Sequence, residues 1–399
     1  MQPSRIPAAT RWRAIVSVLI LACGSIAQAA FEPTGAMTSA RALYGVASLP
    51  DGRVLFAGGI ADFGVHLIQA ELYDPASGTF SATGSMTETR MRPTTVGLAD
   101  GRVLLLGGRG GSSGEALATA EIYDPATGQF SATGSMAGPR YVASAVLLAD
   151  GRVLVAGGLD GRNVMASAEL YDPATGVFSA TGSLLEARIQ PNAVMRLADG
   201  RVMIAGGDGD GGPLASVELY DPASGTFAGT GALPEPRVVQ SLVLLADGRI
   251  LMVGGSDGGF SGGFPIYYPT AALYDPATGT FAPTGDLAHA REMQSAARLP
   301  DGRVLVAGGA HLAGEPGSVT VAAAELYDPI AGSFISAGDM VVPRYESTPV
   351  TLADGRILLA GGWAFAGDTV GDLPTASAEV FVPEVVDRIF ADGFDAGTP

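Results

Sequence analysis

The tripeptide Asp-Gly-Arg recurs seven times, at Asp51, Asp100, Asp150, Asp199, Asp247, Asp301 and Asp354, in steps of 48 to 54 residues. Each copy is followed by an apolar run that ends in a glycine pair, from Gly58-Gly59 in the first to Gly361-Gly362 in the last. A segment reading Ala-Glu-Leu-Tyr-Asp-Pro, or a close relative of it, comes next. It supplies Tyr73, Tyr123, Tyr171, Tyr220, Tyr274 and Tyr327, with Phe381 in the seventh copy. A phenylalanine stands seven residues beyond each of the six tyrosines. A chain this periodic is a set of small modules, each of which buries its faces against the copies beside it.

Every unit carries four strand signals: a stretch from an Arg to the Asp-Gly-Arg, the apolar run, the Tyr segment, and a Phe segment such as Phe-Ser-Ala-Thr-Gly-Ser-Met. Asp-Gly between the first two predicts a two-residue hairpin turn with both central residues at positive φ. Asp-Pro-Ala-Thr-Gly between the last two predicts a type I turn closed by a left-handed Gly. Four-stranded antiparallel units of this length predict a β-propeller. The ends interlock. Phe31–Met37 reads as a fourth strand with nothing before it in its unit, and Ala378–Pro383 reads as a third strand with no fourth after it. The fold class expected is therefore all-β: a seven-bladed propeller spanning 30–383, closed by the N-terminal strand, which leaves no open edge.

The glycine pair, the later Tyr and an aromatic seven positions beyond it resemble the kelch repeat, over about residues 31–383. The second aromatic is Phe here where kelch units usually carry Trp. The resemblance implies a propeller and leaves the function open. The enzymes it brings to mind are galactose-oxidase-like copper proteins, which need a Tyr–Cys crosslink, a second Tyr and two His. Here the single cysteine is Cys23 and the histidines are His66, His289 and His311. The thioether cofactor cannot form, so no cofactor is expected. His289 and His311 fall on one face, but no third ligand accompanies them. The Asp-rich stretch Gly206–Pro213 lacks calcium-loop spacing, so no metal site is expected.

Residues 1–29 read as a secretory signal: a basic stretch to Arg13, a short apolar run, and Ala27-Gln28-Ala29 at the cleavage position. Ile20-Leu21-Ala22-Cys23 supports a second reading, lipidation at Cys23. Either implies a secreted protein, extracellular or periplasmic, with no transmembrane segment in the mature chain. Residues 384–399 form a tail that resembles short tails on some secreted bacterial proteins. The net charge is −17, and every basic residue is Arg. Such a surface repels phosphate backbones, which argues against a nucleic-acid partner.

Two sets of residues stand out. Arg41, Arg90, Arg140, Arg188, Arg237, Arg291 and Arg344 open the first strands, and Glu71, Glu121, Glu169, Glu218, Glu325 and Glu379 lie in the third strands, with Ala272 in unit 5. Recurrence in every unit marks them as structural, Arg paired with Glu. The second set lies in the loops after the glycine pairs, which lengthen in units 5–7 and concentrate Phe260, Phe264, Tyr267, Tyr268, His311, Trp363 and Phe365. Variable loops on a repeated scaffold are where binding sits. The expected function is a noncatalytic binding or scaffold propeller recognising a protein or glycan through blades 5–7. A carbohydrate-active enzyme using loop-face carboxylates is the alternative, though no catalytic residue can be assigned.

Overall fold

In a computed structural model, seven four-stranded antiparallel sheets form the ring of a propeller. The structure describes residues 30–111, 114–189, 193–259, 264–312, 318–365 and 371–384. Residues 1–29 with Cys23, read from the sequence as a signal, Phe260, and the residues beyond Glu384 lie outside them. Contacts gather Ala29–Pro383 into one compact unit.

Blade 3 shows the pattern: Ser144–Leu147, Val153–Ala156, Ala168–Asp172 and Val177–Ala180, paired in that order. The second strand is buried along its whole length and the fourth is mostly exposed. That gradient matches the sequence: second strands are continuous Val/Leu/Ile runs, whereas fourth strands alternate small polar residues. The apolar core is divided into seven clusters, each shared by two neighbouring blades. Leu104, Ile122, Val153 and Tyr171, for example, join blades 2 and 3.

The seventh blade is built from both ends of the propeller. Ala30–Pro33 pairs with Ala378–Val382, which pairs with Ile357–Ala360. Phe31 stands opposite Phe381, their ring centroids 5.1 Å apart, where the other blades hold Tyr–Phe pairs at 4.7–5.0 Å.

In the other six blades the buried Tyr hydroxyl reaches across to a Thr of the preceding blade, as in Tyr171–Thr133 at 2.8 Å. Blade 7 has lost both groups: Phe381 has no hydroxyl and Ala337 stands where the Thr would be. A hydroxyl with no partner would be buried there at a penalty, so the two losses go together. Phe381→Tyr alone is expected to destabilise by about 1–3 kcal/mol, and adding Ala337→Thr to recover most of it. Urea titration of the two variants checks this; equal loss in both would break the link.

One turn differs from the sequence expectation. At Asp-Gly-Arg only the Gly takes positive φ, as in Gly52 at 87°, while Asp51 does not. Leu49 accepts a bond from the N–H of Gly52 and donates to Arg53, and the Asp51 carboxylate accepts the N–H of Arg53. The connection is a three-residue loop, a type I turn followed by a Gly bulge, because the Asp side chain holds its own backbone in the ordinary region. The Asp-Pro turns follow expectation, with Gly78 at φ 66°.

Candidate functional site

The strand directions put the Asp-Gly-Arg and Asp-Pro turns on one face of the ring. The loops after the glycine pairs, and the linkers that carry the chain to the next blade, lie on the other. The loop face is stitched by the repeated Arg and Glu. Arg291, fully buried, donates to the carbonyls of Gly308 and Ala323 and to Glu325 at 2.8 Å. The other Glu325 oxygen accepts the N–H of Ala288, in the incoming linker. The same bond from linker N–H to carboxylate recurs on Glu71, Glu121, Glu169, Glu218 and Glu379. Each pair fastens a linker to the blade it enters; burial lowers the Arg291 pKa, and the Glu325 carboxylate opposes that shift.

Blade 5 replaces this Glu by Ala272, yet Arg237 is not unpaired. It binds Glu235, two residues earlier, and its guanidinium lies 4.6 Å from the centre of the Tyr268 ring. Tyr268 is thereby committed to covering this arginine.

The glycine pairs complete the stitching. The N–H of the second Gly in every blade donates to the carbonyl of the next blade's Arg; Gly362 donating to Arg41 closes the circle. A Cβ on Gly107 would come within 2.2 Å of the Arg140 carbonyl oxygen, so no side chain fits between blades there.

Two residues beyond six of the seven buried arginines the backbone turns left-handed. Leu43, Arg92, Val142, Val239, Met293 and Glu346 all have φ between 50° and 56°. The blade 4 counterpart, Gln190, lies outside the described residues. A β-branched Val at such an angle is strained by an order of 1–3 kcal/mol. The strain persists because the Arg side chain is anchored on one side and the first strand begins on the other. Backbone bonds link collar members of adjacent blades, Arg92 to Leu43, Met293 to Val239 and Glu346 to Met293. These six residues ring the mouth of a central cavity of about 390 Å³. Across that mouth Arg92 and Glu346 form an ion pair at 2.6 Å.

The loops of blades 5–7 rise beside this collar. Ala310–Leu312 with Ser318–Thr320, and Trp363–Phe365 with Asp372–Pro374, form two small hairpins on blades 6 and 7. Trp363 lies over Tyr345 with rings 18° from parallel, and its indole N–H donates to Glu346 at 3.0 Å. Tyr345 donates its hydroxyl to Asp372, and burial followed by that carboxylate raises its pKa. Tyr267 meets His311 edge-on at 6.5 Å, joining blades 5 and 6. Phe264 and Phe365 are 71% and 52% exposed. The seven loop residues named from the sequence thus divide. Phe264 and Phe365 face water, Tyr267, Tyr268, His311 and Trp363 are engaged within the loops, and Phe260 is not among the described residues.

Three features escaped sequence reasoning. Phe63, fully exposed in the short loop of blade 1, was passed over because loop length was the criterion. The collar leaves a signal only in hindsight: its position varies freely while the Arg two residues before it never does. The third is Glu292. It accepts a hydrogen bond from Ser256 of blade 5, and burial pushes its pKa up, opposed by Ser256 and reinforced by Glu346 and Asp257.

Residues 90–137 and 140–184, which span parts of blades 2 and 3, match the Kelch motif. The chain carries kelch motifs. No curated protein matches the sequence. Among solved structures, the kelch-type ring is similar to a fungal alcohol oxidase of the AA5 family in complex with copper. Identity is 20%, with 90% of this chain and 76% of that one covered, at a TM-score of 0.69. At that identity the likeness is one of fold. Among the described residues no three His, Cys, Asp or Glu cluster to hold an ion. His289 is instead 3.8 Å from Glu325.

Proposed function

We propose that this kelch-type propeller is a noncatalytic binding module that holds a protein or glycan on the loops of blades 5–7. The observation that carries the reading is the exposure of Phe264, Ile266 and Phe365 on loops rooted in a rigid, buried lattice of ion pairs. Large apolar groups kept in water forgo about 1.5–3 kcal/mol each relative to burial, and grouped on one face they mark an interaction surface. Kelch propellers commonly serve as binding or scaffold domains. Aromatic rings suit either ligand class, since they stack on sugar faces and anchor protein interfaces.

Asp257 and Ile266 are bonded across the base of the blade 5 loop, so residues 258–265 can be replaced by a short turn while that base is kept. The full chain and the shortened variant are to be compared on a glycan array and in a pull-down against proteins of the producing cell. A ligand retained by the full chain and lost by the variant is expected. Undiminished capture by the shortened protein would remove these loops from the function.

A further inference from the structure

We propose that the partner of this face is a protein segment both cationic and apolar, with one Lys or Arg side chain drawn to Glu292 between blades 5, 6 and 7. The inference rests on the binding reading above and adds the chemistry of the partner.

The loop face is electrically lopsided. Its exposed or half-exposed arginines among the described residues, Arg92, Arg109 and Arg162, all belong to blades 2 and 3. On blades 4–7 the arginines of this face are Arg188, Arg237, Arg291 and Arg344, each buried in an ion pair. The same arc carries Asp208, Asp210, Asp257, Glu292 and Asp372 at least partly open to water. On a chain of net charge −17 acidity is unremarkable, and Asp62, Glu88, Glu115 and Asp160 put carboxylates on blades 1–3 as well; what sets blades 4–7 apart is that, among the described residues of this face, their carboxylates stand without an exposed arginine.

Glu292 lies where these features meet. Its carboxylate takes a hydrogen bond from Ser256, at the root of the loop that carries Phe264 and Ile266. The charged neighbours that act on it, Glu346 and Asp257, are both acidic. Glu346 in turn holds the indole of Trp363, in the hairpin that carries Phe365. Glu346 has Arg92 as its cation; Glu292 has none among these neighbours. A half-buried carboxylate flanked by like charges gains most from an incoming cation. Apolar residues beside that cation would meet Phe264 and Ile266 on one side and Phe365 on the other. A polyanionic partner would meet repulsion over the whole arc, and a neutral one would leave Glu292 uncompensated.

The test uses the full chain and two labelled hexapeptides, alternating Arg-Trp and alternating Glu-Trp, measured by fluorescence anisotropy at low and moderate salt. The cationic peptide is expected to bind and the acidic one not to. Glu292→Gln with Asp257→Asn should weaken the cationic peptide about ten-fold or more. Glu32→Gln with Asp339→Asn removes the same charge elsewhere and should change little. Phe264→Ser with Phe365→Ser should also weaken binding, and with less salt dependence in the loss. Circular dichroism melts confirm that each variant is folded. No binding of the cationic peptide, equal binding of both peptides, or equal effects of the two charge-removing variants would overturn the proposal. If those results appear while loop shortening still abolishes partner capture, the binding reading stands and the partner is of other chemistry.

Discussion

Replacing Arg291 by methionine is expected to destabilise the propeller by about 3–5 kcal/mol, the usual cost of stranding one member of a buried ion pair. Glu325 has 5% of its side chain exposed and cannot be rehydrated in place. The carbonyls of Gly308 and Ala323 lose their donor in the same step. Arg237→Met is expected to cost less, about 1–3 kcal/mol. It strands the carbonyls of Gly254 and Thr270, but its carboxylate partner Glu235 is 42% exposed and returns to water. Chemical denaturation of the two variants measures the difference directly. Glu325→Met combined with Arg291→Met should recover much of the loss, because no uncompensated charge then remains. If Arg237→Met costs as much as Arg291→Met, the carboxylate is not what makes these arginines indispensable, and the two backbone carbonyls would be the main contribution.

That contrast also shows what could be read from residues alone. Seven blades, their strand order and the borrowed strand at Phe31 were legible because each signal is local and is repeated. A hairpin turn or a continuous Val/Leu run says the same thing in every unit. The partner of Arg237 was harder to read, because Ala272 removes the repeated Glu and its replacement, Glu235, occupies a position that is Glu again only at Glu88 and Glu186 and is Ser39, Gly138, His289 or Val342 in the other units. The Asp-Gly turn was misread for a related reason. Two residues were weighed where the Asp51 carboxylate and the backbone of Leu49 decide the geometry. The collar and Glu292 depend on several blades converging on one axis. No spacing along the chain encodes the meeting of Glu292 with Ser256, Asp257 and Glu346, which come from three blades. The loop aromatics were found as a group, yet which of them face water depends on contacts such as Arg237 beneath Tyr268.

Removal of residues 30–33 is expected to do more damage than its length suggests. These four residues pair along the outer side of Ala378–Val382, where otherwise Thr34 bonds to Ala378, so their loss turns most of a paired strand into an open edge. They also carry Phe31, which belongs to the same cluster as Leu305, Leu359 and Phe381. Loss of one such ring alone costs about 3–5 kcal/mol. A propeller has no free end at which to absorb the defect, since Gly362 of this blade is bonded to Arg41 of the first. The trimmed chain should melt at lower temperature and self-associate with rising concentration, as exposed strand edges do. Phe31→Asp separates the two causes. It keeps the backbone strand, so it should lower the melting temperature while leaving the protein largely monomeric. A synthetic peptide of residues 30–37 added to the trimmed chain should restore both properties, because it returns the ring and the hydrogen bonds together. Thermal melts and light scattering decide the matter: a trimmed chain that stays monomeric with its melting temperature unchanged would show that the ring holds without the borrowed strand.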